Sequence, residues 1–133
     1  MINMSAGVFG YGNNLTKTIR VTPTEFAQLQ SNPKQVVTGI PGFACLLLSA
    51  CAIPYTGTTP YNESERILIS STLGNNQGKS TNITNLGDSC IIPIQDGTAT
   101  LGNGNGLIIE MNSDLTGGDI GYDITIIYTY VNI

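Results

Sequence analysis

The twelve residues from Phe43 to Pro54 constrain the fold more than any other stretch. Read as one strand, they place Phe43, Cys45, Leu47, Ser49, Cys51 and Ile53 on one face. Ala44, Leu46, Leu48, Ala50 and Ala52 fall on the other. A strand with one face in water alternates apolar with polar residues. Here both faces are apolar, so both need cover, from the helix and loops of the same chain or from a neighbouring subunit. Exposed apolar area of this size marks an interface. The stretch is not a membrane span: Ser49 interrupts it, and a spanning helix needs roughly 20 apolar residues.

The rest of the chain supplies the other strands. Ile, Thr and Val make up 38 of 133 residues, and 16 Gly with 13 Asn provide turns. β-branched side chains suit a pleated sheet and are poor helix formers. Thr16 to Val21 alternates, with Ile19 and Val21 on one face. Thr22-Pro23-Thr24-Glu25 is the clearest local signal: an N-cap, a proline at the first helical position and a glutamate completing a capping box. A short helix is expected over Pro23 to Gln30, with Phe26 and Leu29 packing on the sheet. Further strands are expected over Lys34 to Thr38, Arg66 to Thr72, Cys90 to Ile94, Thr98 to Leu101, Gly106 to Asn112 and Asp123 to Val131, and weakly over Thr81 to Leu86. Asp96-Gly97 is a hairpin signal, Pro93 marks an edge or bulge, and Gly74 to Ser80 reads as a polar loop. In the last two strands Leu107, Ile109 and Met111 are expected inward, while Ile124, Ile126, Tyr128 and Tyr130 share one side and Thr125, Ile127 and Thr129 the other. The pattern predicts a two-sheet, all-β antiparallel sandwich of about eight strands with one short helix near its start.

The chemistry available is limited. Charged residues are 11% of the chain, with a net charge of −4. The basic residues Lys17, Arg20, Lys34, Arg66 and Lys79 cannot make a phosphate-tracking patch, so no nucleic-acid partner is expected. The chain has no histidine, which removes Ser-His-Asp and Cys-His catalysis and histidine metal sites. Cys45, Cys51 and Cys90 are an odd number and read as buried thiols of a protein folded in the cytosol. Met1 to Gly12 lacks the basic and apolar regions of a signal peptide. The Asn14, Asn62 and Asn82 sequons match what chance gives in an Asn- and Thr-rich chain. Gly102 to Gly106 (GNGNG) lacks the lysine and following helix of a phosphate loop, and reads as a turn. Asp114, Asp119 and Asp123 crowd one loop region and could hold Ca²⁺, although their spacing matches no EF-hand. No cofactor and no catalytic residue is indicated. Met1 to Leu15 reads either as a loose terminus or as an arm, bearing Phe9 and Tyr11, that docks on a neighbouring subunit. Residues 16–133 then form the domain.

Several segments in order resemble a family of small jelly-roll virion proteins of tailed bacteriophages. They are Ile19 to Leu29, Asn32 to Val37, the turn Ile40-Pro41-Gly42-Phe43 with its apolar strand, and the tyrosine-bearing loop Pro54 to Tyr61. Asn105 to Ile109, Leu115 to Asp119 and Ile124 to Tyr130 complete the likeness. The chain departs from the family at Pro41-Gly42-Phe43-Ala44, where Gly-Ala-Gly-Lys is common, and in its Asn-rich stretch from Gly74 to Gly87.

The resemblance implies an antiparallel jelly roll on the surface of a phage particle, made in the host cytoplasm. Its function would be to decorate or cement the capsid as a homotrimer in contact with the major capsid protein, without enzymatic activity, and with no membrane partner. Phe9 and Tyr11 in the arm, and Leu46 and Leu48 on the second face of the long strand, are the expected contact residues. The alternative is a receptor- or glycan-binding module of a tail or head fibre, using the loop tyrosines Tyr55 and Tyr61. A polysaccharide hydrolase is disfavoured, because nine acids in a short chain suggest no particular catalytic pair.

Overall fold

The computed structural model describes residues 13–95 and 102–133. Phe9 and Tyr11, the Asp96-Gly97 turn and the strand expected over Thr98 to Leu101 lie outside the described residues. Among these residues eight strands and one helix follow in chain order: β1 Leu15–Val21, α1 Pro23–Ala27, β2 Lys34–Val37, β3 Phe43–Thr56, β4 Leu68–Ser71, β5 Asn76–Lys79, β6 Cys90–Ile91, β7 Leu107–Glu110 and β8 Gly121–Asn132. They form two four-stranded antiparallel sheets, β1-β8-β3-β6 and β2-β7-β4-β5. The architecture is all-β, with the core between the sheets. Among the described residues no helix is long and apolar enough to cross a membrane.

Local alternation sets the inner faces. Ile19 and Val21 of β1, Leu107 and Ile109 of β7, and Ile124 and Ile126 of β8 are all buried, and Met111 follows β7 into the core. Burying such a side chain stabilises the fold by about 1.5–3 kcal/mol relative to leaving it exposed. The capping box forms as expected. The Thr22 hydroxyl accepts from the Glu25 amide, and the Glu25 carboxylate accepts from the Thr22 amide.

The helix is shorter than the expected Pro23 to Gln30, and the reason lies far along the chain. In a continued helix the Ser31 amide would bond the Ala27 carbonyl. Here the Leu115 amide takes that carbonyl at 2.8 Å, and the Ser31 amide turns to Asp114 at 3.0 Å. Phe26 and Leu29 are nevertheless both buried.

Three other expectations are corrected. Gly74 to Ser80 is not a loop throughout, because Asn76–Lys79 is strand β5. Thr81 to Leu86 is turns, not strand. There Thr84 is buried, accepting from the Glu65 amide and donating to the Glu63 carbonyl. The strand expected over Cys90 to Ile94 is reduced to two residues, with one further bridge between Gly78 and Ile94.

Among the described residues the short β6 leaves most of one edge of β3 without a strand partner, since it pairs only at Cys51 and Ala52. Side-chain amides from β5 and from the turn before β7 fill the gap. The Cys45 amide donates to Asn105 Oδ1 at 2.7 Å, and Asn105 Nδ2 donates to the Cys45 carbonyl at 3.0 Å. Gln77 Oε1 accepts from the Leu47 amide at 2.8 Å, and its Nε2 also reaches the Cys45 carbonyl, at 3.2 Å. Gln77 and Asn105 are fully buried, and a buried backbone polar group needs such partners. At the opposite seam, Lys17 Nζ donates to the Val36 carbonyl and the Tyr130 hydroxyl to the Thr38 carbonyl.

Candidate binding surface

The long strand β3 does not keep one alternation along its length. Its register against β8 slips between Leu47 and Ser49, so Leu48 is an extra residue in a β-bulge. A bulge reverses which residues face inward. Cys45 and Leu47 point into the core before it, and Ala50 and Ala52 after it. The expected grouping of Cys45 and Leu47 with Ser49, Cys51 and Ile53 is therefore wrong beyond the bulge. The outward set is Leu46, Leu48, Ser49, Cys51 and Ile53, and the strand is less two-faced than its sequence suggests.

Register across the sheet builds the outer face row by row. Arg20, Asp123 and Ile53 form one row. Thr18, Thr125, Cys51 and Ile91 form the next. Thr16, Ile127 and Ser49 follow, with Leu48 beside them, and then Thr129 and Leu46. Leu48 is 37% exposed, Ile53 53% and Ile91 77%, while Leu46 and Cys51 are half-buried. The Thr18 and Thr125 hydroxyls bond each other at 2.9 Å.

The charges on this face cancel. Arg20 binds Asp123 through two parallel bonds of 2.9 Å, and its guanidinium stacks 4.0 Å from the centre of the Tyr55 ring. The Arg20 hydrogen bond holds the Asp123 carboxyl below the usual carboxylate range. Gly121 leaves room for the same ring, since a Cβ there would lie 2.8 Å from Tyr55 Cε1. The face is thus a neutral surface of threonine, leucine and isoleucine with one paired charge at its end.

Leu46 and Leu48 come together here, as the sequence indicated. The two tyrosines do not. Tyr55 is half-buried at the end of β3. Tyr61 is a core residue, 3% exposed, whose hydroxyl donates to the Ile120 carbonyl at 2.6 Å. Burial, with the Asp119 charge, pushes its phenol up to about 12. Tyr61 offers no surface to a ligand, so its placement in a binding loop is corrected. Ile53 and Ile91 were not singled out in the sequence as contact residues. Ile91 could have been, because Pro93 already marked that strand as an edge.

The remaining candidate clusters dissolve into local structure. Asp114 binds Ser31, Asp119 binds the Thr58 and Thr59 amides, and Asp123 binds Arg20. The three do not converge on a cation, and among the described residues no group of three His, Cys, Asp or Glu could hold a metal. GNGNG is a clasp on the start of β3: Asn103 Oδ1 accepts from the Gly42 amide, and the Gly104 amide donates to the Phe43 carbonyl. Cys45 is buried and its thiol pushed up to about 12, whereas Cys51 and Cys90 are only half-buried. The expectation of three buried thiols therefore holds for Cys45 alone. Two shallow grooves of about 260 and 510 Å³ flank α1, and their acids Glu25, Asp114 and Asp119 are already hydrogen-bonded. No protein-family model, no curated protein and no solved structure matches this chain.

Proposed function

We propose that this chain is a non-enzymatic structural protein of a tailed-phage particle, a jelly roll that decorates or cements the capsid as a homo-oligomer. The single observation that carries the reading is the outer face of the β1-β8-β3-β6 sheet, where Leu48, Ile53 and Ile91 stand exposed and the charges are paired. Burying such a face against a copy of itself removes apolar area from water and strands no charge. Closed symmetric oligomers are the usual outcome for a self-complementary patch.

The strand order supports the jelly-roll reading. Strand β1 pairs with β8, β2 with β7, β3 with β6 and β4 with β5. That nesting is what a long hairpin rolled into two sheets produces. The sequence likeness to phage virion proteins runs through the same elements. The glycan-binding alternative has less support, because Tyr61 is in the core and Arg20 covers one face of Tyr55.

The test is the oligomeric state in solution, followed by copy number in the particle. The wild type should sediment as a trimer, and Leu48→Asp as a monomer with an unchanged circular dichroism spectrum. Quantitative mass spectrometry of purified virions should find a copy number near a multiple of the capsid lattice. A wild-type monomer at high concentration, or a Leu48→Asp variant that unfolds, would overturn the oligomer reading. A few copies per particle would move the protein to a tail or fibre, and absence from the particle would remove the virion reading altogether.

A further inference from the structure

We infer that segment 113–120 is an acid-released strap over the aromatic end of the core. Three carboxylates tie this segment to three different neighbours, and each accepts two hydrogen bonds. Asp114 accepts from the Ser31 amide at 3.0 Å and the Ser31 hydroxyl at 2.8 Å, between α1 and β2. Glu63 accepts from the Thr116 amide and hydroxyl, both at 2.6 Å. Asp119 accepts from the Thr58 and Thr59 amides at 2.9 and 2.7 Å. Three backbone bonds complete the attachment: Leu115 to Ala27, Asn62 to Thr116 and Asp119 to Thr59.

The strap covers an apolar cluster. Its own Leu115 and Ile120 are buried, and Gly118 lies so close to Tyr61 that a Cβ would be 2.6 Å from the ring. Tyr61 stacks toward Phe26 at 5.7 Å between centroids, and Phe26 toward Tyr122 at 4.5 Å. Tyr122 is fully buried, and its hydroxyl has no hydrogen-bond partner among the described residues.

Hydrogen bonds hold all three carboxylates in the charged form. The causes are the Ser31 amide and hydroxyl with Gln30 for Asp114, Thr116 for Glu63, and Thr59 then Thr58 for Asp119. The titratable group packed against them is Tyr61, whose ionisation Asp119 opposes. On the α1 side the charges nearest in the chain, Glu25 and Lys34, pair with each other at 2.8 Å. Groups with depressed folded values stabilise the fold above their unfolded values and lose that contribution as pH falls through the folded ones. The three attachments therefore all weaken as pH falls below the unfolded carboxylate values, about 4, while the backbone ladders themselves carry no titrating group and only the exposed Arg20–Asp123 pair between β1 and β8 loses its carboxylate in the same direction.

The test is hydrogen exchange at pH 7 on the full chain, comparing wild type with Glu63→Gln and with Asp114→Asn/Glu63→Gln/Asp119→Asn. In the triple variant, protection over 57–63 and 113–120 should fall at least about tenfold while β3 and β8 keep theirs. Glu63→Gln, which keeps one acceptor oxygen, should show a smaller loss confined to the same peptides. Wild type taken to pH 3 should bind an apolar dye, and the triple variant should bind it already at pH 7. Protection lost equally across β3 and β8 in Glu63→Gln, or no loss at 113–120 in the triple variant, would overturn the inference.

Discussion

Replacing Asn105 with alanine tests whether a side chain can satisfy the backbone of a strand edge. The variant removes the partner of the Cys45 amide and one of two donors to the Cys45 carbonyl. The carbonyl keeps Gln77, but the amide is left buried and unpaired. An orphaned buried N–H costs about 1–3 kcal/mol, and the lost bond to the carbonyl adds less, so the variant should lose roughly 2–3 kcal/mol. For a chain of this size that lowers Tm by roughly 6–15 °C. Urea denaturation followed by circular dichroism measures it, with the slope expected to stay at the wild-type value. Gln77→Ala should behave similarly through the Leu47 amide. The double variant should cost more than the two singles together, because only then is the Cys45 carbonyl deserted. Asn105→Asp adds a pH signature. Its buried carboxylate would face the Cys45 carbonyl, which raises its folded pKa above the unfolded value near 4. The variant should then match wild type most closely below about pH 4 and fall away as pH rises. A loss under about 0.5 kcal/mol for Asn105→Ala, the range of an ordinary surface change, would refute the argument.

Alkaline stability should fall between about pH 9 and 12, because burial pushes the Cys45 thiol and the Tyr61, Tyr122 and Tyr130 phenols up to about 12. Their neutral forms stabilise the fold below the unfolded values and that contribution is lost as pH rises through the folded ones, so ultraviolet titration should show late-ionising tyrosines coupled to unfolding. Gly42→Ala should cost about 1–2 kcal/mol, since its φ of 87° is left-handed but no atom crowds a Cβ there. Gly57→Ala should cost at least twice as much by thermal melting, because a Cβ would also overlap the Asp119 carbonyl. In native protein a thiol reagent should reach Cys51 and Cys90 and leave Cys45 unmodified until denaturant is added.

What was legible in the sequence was what depends on neighbours a few residues apart. The capping box at Thr22 and Glu25 and the alternations through Leu107 and Ile124 read correctly for that reason. The end of α1 did not, because Leu115 and Asp114 decide it from far along the chain. The bulge at Leu48 has no local signature, and one extra residue reassigned half of β3. Strand β5 was hidden because Gln77, polar in sequence, is buried for the sake of the β3 backbone, and Gly78 is small so that Leu47 can approach. On the candidate surface, Leu46 and Leu48 stood out by their apolar run. Their company with Ile53 and Ile91 depends on register, which only the pairing of β8 with β3 and β6 with β3 fixes.

The nested pairing also determines the order in which this fold can be assembled. β4 and β5 are neighbours in both sequence and space, whereas β1 waits for β8, joining Leu15 to Tyr128. Contacts at such separation must meet the entropy of closing a long loop before they return any stabilisation, which slows folding. β8 is also a central strand, lying between β1 and β3. Until it has formed, both of its neighbours present unpaired edges, and the Ile124 and Ile126 half of the core is missing. Folding is therefore a race in which the eighth strand must arrive before the open edges of β1 and β3 find one another on separate chains.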